Sequence, residues 1–264
     1  MDYEDLVLEK KEYIAIITLN VPEKLNAITK KMSQSIAKVA NDIALDDEVR
    51  VVVLTGAGRG FCSGADVSMM ASRGSGNTPS RFAGTQVTGY PHYNAFPQLS
   101  KPVIAAINGA CVGGGLSLAL SCDIRISADN AKFGVAQVSR GLVPDYGLTY
   151  YLPLAIGVSR ASEMMYTAET IGAAEAEKLG IISKVVPLDK LMSVAMELAN
   201  KIAQQPPYSV ELSKKIVWRA LLENLNRQMD LETWASHICA NTEDHKASVQ
   251  AFLNKQPTPK YQGK

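Results

Sequence analysis

Residues 107–117, INGACVGGGLS, join two apolar segments of the chain through a cluster of glycines. The pattern predicts a strand over 103–107 and an apolar helix that begins after Gly115. Backbone N–H groups lack partners at the start of a helix, and glycines let a ligand approach where a side chain would obstruct it. The junction is therefore a candidate site for an oxyanion or a phosphate, although close packing of the helix on the strand would also explain its glycines.

The residues around these glycines give poor support for nucleotide binding. A P-loop requires Lys followed by Ser or Thr after its last glycine, whereas Leu116 and Ser117 follow here. The G-x-G-x-x-G spacing of a dinucleotide-binding turn, with an acidic residue about 20 positions later, fits little better.

A second glycine-rich turn follows the apolar strand expected over 51–54. It reads TGAGRGFCSGAD over residues 55–66. Two such turns can supply two converging N–H donors, which is the geometry that an oxyanion hole requires. Removing one donor from such a hole typically costs about 10²–10³ in rate.

Together with five other segments, the two turns resemble the enoyl-CoA hydratase/isomerase (crotonase) family. The segments that carry the resemblance are 14–27, 60–66, 101–109, 122–125, 131–134, 180–182 and 252–253. Their joint order, rather than any single segment, is specific, and it spans nearly the whole chain. The resemblance implies a spiral ββα superhelix, an acyl-CoA thioester substrate, no cofactor other than the coenzyme A of that substrate, and a homotrimer or dimer of trimers.

Composition agrees with a globular enzyme of this kind. The chain has 264 residues, enough for a large core, and its net charge of +1 comes from 27 basic and 26 acidic residues. This balance argues against a nucleic-acid partner, because no basic surface is indicated. The four cysteines show no C-x-x-C spacing and are expected to be reduced, and the histidines have no metal-binding spacing.

We expect a cytoplasmic protein with no membrane partner. The first five residues, MDYED, are acidic where a signal or transit peptide would be basic. No apolar run reaches the roughly 18 residues that a membrane span needs.

Alternating strands and helices predict an α/β fold with much parallel pairing. We expect a core over 1–190 that carries the coenzyme A and catalytic sites, and a helical region over 191–264 that packs on the core or on a neighbouring subunit. Residues 71–91, rich in Gly, Ser, Thr and Pro, are expected to form a mobile loop or a frayed helix beside the site, and whether the segment covers the pocket stays open. The strands are expected over 6–8, 13–19, 51–55, 103–107, 123–127 and 184–186, and the main helices over 29–45, 195–203, 208–226 and 231–253.

The positions that carry two glutamates in hydratases of the family are occupied here by Ser117 and Gln137. Hydration needs one group to activate water and another to deliver a proton, and neither Ser nor Gln titrates usefully near neutral pH. The two-glutamate hydratase mechanism is therefore not expected.

Asp145, in the segment GLVPDYG over 141–147, is the candidate acid/base. The reference pKa of an aspartate is about 3.9, and an apolar pocket raises it toward the range in which the group can exchange a proton with carbon. The segment resembles the branch of the family whose enoyl-CoA isomerases use one aspartate, including relatives in phenylacetate catabolism. The alternative is that Asp145 only caps the helix that follows it.

Other roles follow from the resemblance alone. The oxyanion-hole donors would be the backbone N–H groups of Ala65 and Gly114, and Tyr146 either hydrogen-bonds to substrate or packs. Lys24 and Lys255 would bind the phosphates of coenzyme A, and the alternative is that each is only a solvated charge on the surface. The residues of the coenzyme A site would be Lys24, Ala27, Asp66, Val67 and Lys255.

Three further functions stay open. A hydratase could position water with Asp145, Ser117 or Gln137, while some relatives are non-catalytic binders of acyl-CoA or RNA. An aryl-CoA dehalogenase would use Asp145 as a nucleophile, but its pattern asks for Trp at the position of Gln137.

Overall fold

The computed structural model describes residues 3–66, 94–257 and 259–263, which form two sheets surrounded by helices. The ten strands of the described residues are β1 Leu6–Lys11, β2 Ile14–Leu19, β3 Val51–Gly56, β4 Gly60–Cys62, β5 Val103–Ile107, β6 Ala110–Val112, β7 Ile124–Ala128, β8 Lys132–Gly134, β9 Thr170–Gly172 and β10 Lys184–Val186. The α-helices of the same residues are α1 Lys30–Ala44, α2 Ala95–Gln98, α3 Gly114–Leu120, α4 Leu148–Ile156, α5 Val158–Thr167, α6 Ala173–Leu179, α7 Leu191–Ala203, α8 Pro207–Ala240 and α9 Glu243–Leu253.

The larger sheet has six strands in the order β1-β2-β3-β5-β7-β10. β1 is antiparallel to β2, and the other neighbours are parallel. Runs of Val, Ile and Ala make β3 and β5 buried along nearly their whole length, as expected of parallel strands covered on both faces. α1 covers one face with its apolar stripe, and α7 covers the other.

The smaller sheet has the order β4-β6-β8-β9. Each of its first three strands begins within four residues of the end of a long strand, so that β3 leads to β4, β5 to β6 and β7 to β8. The chain thus contains one long strand followed by one short strand three times. The short strands β4, β6 and β8 pair in parallel, and β9 is antiparallel to β8. This repeat confirms the predicted ββα class with a C-terminal helical region.

Two expectations about the elements need correction. The short strands of the smaller sheet were not predicted, and the helix break expected between 226 and 231 is wrong, because α8 runs unbroken from Pro207 to Ala240. The helix continues through this polar stretch because Leu225 and Met229 are buried in the core and Glu232 is hydrogen-bonded at the start of α4. The predicted loop or frayed helix at 71–91 lies outside the described residues.

The C-terminal helices contact the parts of the core that surround the glycine turns. α8 packs on α2 and α4, and α9 packs on a 3-10 helix at Val138–Arg140. Of the helices in the described ranges, none is long and apolar enough to cross a membrane. All four cysteines are free thiols, and Cys62, Cys111 and Cys122 are buried.

Candidate active site

The two glycine turns lie side by side because β4 and β6 are neighbours in the smaller sheet. A Cβ atom at Gly64 would lie 3.0 Å from the carbonyl oxygen of Val112 and 3.3 Å from the backbone nitrogen of Gly114. A Cβ atom at Gly115 would lie 2.1 Å from the carbonyl oxygen of Cys62. Only glycine permits these approaches, so the glycines of both turns serve the junction between them.

Each turn presents one of the two predicted oxyanion donors. Gly114 is the first residue of α3, and the N–H groups of a first helical turn have no partner within the helix. Ala65 forms a parallel bridge with Ile28, in which the Ile28 N–H donates to Gly64 at 2.7 Å and the Asp66 N–H donates to Ile28 at 3.2 Å. This pattern turns the N–H of Ala65 away from Ile28. The roles of both N–H groups stay predictions.

Asp145 lies in a turn that places it against Gln137. The Nε2 of Gln137 donates to the Oδ1 of Asp145 at 3.1 Å. The turn ends with Tyr146 and Gly147 at φ of 68° and 78°, both in the left-handed region. Tyr146 is not glycine, and holding it there costs on the order of 1–3 kcal/mol that the surrounding contacts must offset.

Ser117 links the Asp145 turn to α3. Its side chain is buried, and its Oγ donates a short hydrogen bond to the carbonyl oxygen of Tyr146. The ring of Tyr146 lies against Gly114, where a Cβ atom would come within 2.9 Å of the ring. The three positions that the sequence singled out, Ser117, Gln137 and Asp145, are therefore gathered beside the predicted oxyanion donor of α3.

Glu232 of α8 holds the other end of this turn. Its buried carboxylate accepts from the N–H of Gly147 at 2.7 Å and from the N–H of Thr149 at 2.9 Å, and it also bonds the Thr149 hydroxyl. Burial raises the pKa of Glu232, and these hydrogen bonds oppose that rise. Glu232 thus caps the first turn of α4, and the N–H of Leu148 donates to the backbone carbonyl of Asp145. Whether the Asp145 side chain also caps this helix stays open.

The Gln137 amide is buried, with 9% of the residue exposed. Its Oε1 has no hydrogen-bond partner among the described residues. A Cβ atom at Gly113 would lie 3.4 Å from this oxygen, so the amide lies against the glycine turn as well as against Asp145.

Three of the predicted coenzyme A residues lie together next to the Ala65 turn. Lys24 forms an ion pair with Asp66, with 2.7 Å between Nζ and Oδ2, and the hydrogen bond to Asp66 raises the pKa of Lys24. Ala27 is buried and donates to the carbonyl oxygen of Lys24. Lys255 is exposed just beyond α9, and Val67 lies outside the described residues.

Sequence reasoning missed Glu232 and the two hydrogen bonds that connect Ser117 to Tyr146 and Gln137 to Asp145. Glu232 lies 87 residues after Asp145 in a polar stretch of the chain, where an acidic residue is ordinarily solvated. No local pattern could have identified it.

The chain is similar to known proteins over most of its length. A family model described as "Enoyl-CoA hydratase/isomerase" matches residues 9–264. The short-chain-enoyl-CoA hydratase of Clostridium acetobutylicum is 38% identical over 97% of this chain and 97% of its own length. The 1,2-epoxyphenylacetyl-CoA isomerase of Escherichia coli is 35% identical over 95% of each chain. A solved structure of a monofunctional enoyl CoA isomerase from M. smegmatis is 38% identical, with a TM-score of 0.69 over 82% of this chain and 93% of its own.

Proposed function

The chain belongs to the enoyl-CoA hydratase/isomerase family, and we propose that within it the protein is an enoyl-CoA isomerase with Asp145 as its acid/base. The observation that carries the proposal is the position of Asp145 beside the α3 glycine turn, with the neutral side chains of Ser117 and Gln137 around it. The coenzyme A is part of the substrate, and no separate cofactor is proposed.

The N–H groups of Ala65 and Gly114 would bind the thioester oxygen and stabilise the negative charge that develops there. Asp145 would remove a proton from C2 of a 3-enoyl thioester, and the electron pair would delocalise into the dienolate. Asp145 would then return the proton to C4, which leaves the double bond between C2 and C3. One carboxyl group suffices, because the proton removed is the proton returned.

Hydration is the second candidate function, and the names of relatives favour it. The Clostridium acetobutylicum relative is named a hydratase, as are several others at 32–38% identity. In this chain, however, Asp145 would be the sole titrating group among the three site residues Ser117, Gln137 and Asp145. Hydration would then require this one carboxyl group to activate water and also to supply the proton.

The experiment offers purified protein a 3-enoyl-CoA and a 2-enoyl-CoA in D₂O and follows the products by mass spectrometry and NMR. We expect the double bond of the 3-enoyl-CoA to move, and we expect the 2-enoyl-CoA to gain no water. Asp145→Asn should lower kcat by at least about 10³, because an amide cannot accept the proton. The control Asp189→Asn changes an exposed aspartate in the same way and should keep full activity.

A 3-hydroxyacyl-CoA as the main product would establish hydration instead of isomerisation. Full activity of Asp145→Asn would remove Asp145 from the mechanism under either function.

A further inference from the structure

We propose that Gln137 is a positioning residue, which orients the carboxylate of Asp145 toward the glycine turn and stabilises its proton-accepting form. The inference rests on the proposed function of Asp145 as the acid/base. It assigns a task to a side chain whose place in the family's hydratases is taken by a glutamate.

The contact itself is specific. The Asp145 carboxylate is the one described hydrogen-bond partner of the Gln137 side chain, at 3.1 Å from Nε2. The reverse orientation of the amide would direct Oε1 at a carboxylate oxygen, where two acceptors repel each other. The negative charge of Asp145 therefore sets the orientation of the amide, and the amide in turn fixes one oxygen of the carboxylate.

Burial strengthens this contact. The amide is nine-tenths buried, and its Oε1 finds no partner within the described part of the chain. Leaving a buried acceptor without a partner costs about 1–3 kcal/mol, so the site retains the amide at a cost. A donor that faces an ionised acceptor in such surroundings forms a charge-assisted bond, which is stronger than a bond between neutral groups.

The same geometry disfavours a glutamate at 137 in a chain that has an aspartate at 145. A glutamate at 137 would bring a second carboxylate to about the same distance from Asp145, and two such groups cannot both stay ionised. They would share a proton, and Asp145 would lose its availability as a base. A neutral amide that donates a hydrogen bond is the side chain of this length that avoids the conflict.

Among the residues that the structure describes, the other charged or titratable groups next to the turn come from three elements. Arg140 belongs to the 3-10 helix that follows Gln137, Glu232 comes from α8, and His245 of α9 bonds the Arg140 carbonyl through Nδ1 at 2.7 Å. None of these groups changes in the variants proposed below. A change in the titration of Asp145 can then be attributed to position 137.

The test compares Gln137→Met, which keeps the length and removes the donor, with Gln137→Glu, which keeps the shape and adds a charge. The carboxyl titration of Asp145 is measured by ¹³C NMR on protein labelled at aspartate, with the signal assigned from Asp145→Asn. We expect the Asp145 pKa to rise by about one unit in Gln137→Met, since a charge-assisted hydrogen bond to the ionised form is lost. We expect a larger rise in Gln137→Glu.

Kinetics give the second readout. The acid limb of the pH profile of kcat/KM should move to higher pH by the same amount as the NMR titration. KM at high pH should change little, because the amide acts through Asp145. The control Gln204→Met, at an exposed glutamine, should leave both measurements unchanged.

An Asp145 titration that is the same in wild type and Gln137→Met would overturn the proposal. If Gln137→Met does not fold, the titration of Asp145 is compared between wild type and Gln137→Glu, and an unchanged titration would again overturn the proposal. Failure of the proposed function is a separate outcome, because an active Asp145→Asn variant removes the acid/base role whatever the titration shows.

Discussion

Ser117 stands where the family resemblance implies a glutamate in hydratases. In this chain the position carries a buried hydroxyl whose described partner is the carbonyl oxygen of Tyr146. That carbonyl belongs to the residue next to Asp145 and lies in a strained turn. A small donor at 117 therefore stabilises the turn that carries the proposed acid/base.

Replacing Ser117 by Ala should reduce both stability and kcat. The part-buried carbonyl of Tyr146 loses this hydrogen bond, which typically contributes about 0.5–1.5 kcal/mol, and the Asp145 turn loses one of its supports. Urea unfolding measures the first effect and steady-state kinetics the second. The matched control is Ser121→Ala in the same region, where the buried Oγ bonds Leu118 and has no described link to the turn.

The control should lose stability without losing kcat. Equal losses of kcat in the Ser117 and Ser121 variants would mean that the Ser117 hydrogen bond does not serve the site.

The sequence identified the positions of Ser117, Gln137 and Asp145 but could not show how they bond. The family pattern locates residues along the chain, whereas the bond from Ser117 to Tyr146 joins residues 29 positions apart. Whether a buried polar side chain finds its partner depends on packing between elements, and a linear pattern does not contain that information.

Among the elements, α8 combines structural support with proximity to the proposed site. Glu232 accepts hydrogen bonds from the first turn of α4, directly after the Asp145 segment. Lys214 and Trp218 of the same helix bond Asp123, at 2.7 and 2.6 Å, at the start of β7. The helix thus connects the larger sheet to the turn that carries Asp145.

Replacing Glu232 by Gln should lower the free energy of unfolding by about 1–3 kcal/mol, because the amide NH₂ cannot accept from a backbone N–H, whereas both oxygens of a carboxyl group can, ionised or protonated. Guanidinium unfolding with an unchanged m-value measures this loss. The control is Glu163→Gln, which removes an exposed ion pair with Arg160 and should change stability by less than about 1 kcal/mol. Equal losses in the two variants would contradict the structural role of Glu232.

The stability difference between wild type and Glu232→Gln should also depend on pH. Burial raises the pKa of Glu232 in the folded protein, so the folded state holds its proton more strongly than the unfolded chain does. The contribution of Glu232 is therefore fully present below its unfolded pKa and decreases as pH rises through its folded pKa. Unfolding measured at several pH values should show the two proteins converging in stability with rising pH, and a widening difference would contradict this sign.

Elements were predictable where apolar residues form long runs. β2, β3 and β5 are such runs, and α1 has an apolar stripe that begins after its cap Thr29. β4, β6, β8 and β9 have three residues each, too few for a period of two to be recognised, and several contain or border glycines. The pairing of β4, β6 and β8 follows from the long strands β3, β5 and β7 that precede them.

At the scale of the whole molecule, the fold class was predictable because seven separate segments agreed in their order along the chain. The packing of the C-terminal helices on the core was not predictable from the sequence. α8 is one helix of 34 residues, or about 50 Å, and its contacts with α2 and α4 determine its course. The predicted division of the chain into a core over 1–190 and a helical region over 191–264 stays a prediction. The first helix of that region, α7, packs on the larger sheet.

The exposed side of α8 leads to a prediction about assembly. Large apolar side chains are more than half exposed at Leu212, Ile216, Leu231, Trp234 and Ile238. At 100° per residue these positions fall within an arc of about 100°, so they lie along one stripe of the helix, as two apolar groups that the exposed residues Arg227 and Asp230 separate. Apolar groups exposed on one side of a helix are typical of protein interfaces. We therefore expect a homotrimer or a dimer of trimers in which a second copy covers this stripe.

Light scattering on the chromatographed protein should give three or six times the mass of one chain. The double variant Ile216→Asp and Trp234→Asp places two charges in the stripe and should dissociate the assembly, since burying an unpaired charge is costly. The control Tyr166→Asp changes an exposed aromatic residue on α5 and should keep the wild-type mass. A monomeric wild type at micromolar concentration, or a double variant with unchanged mass, would show that the stripe is not the interface between copies.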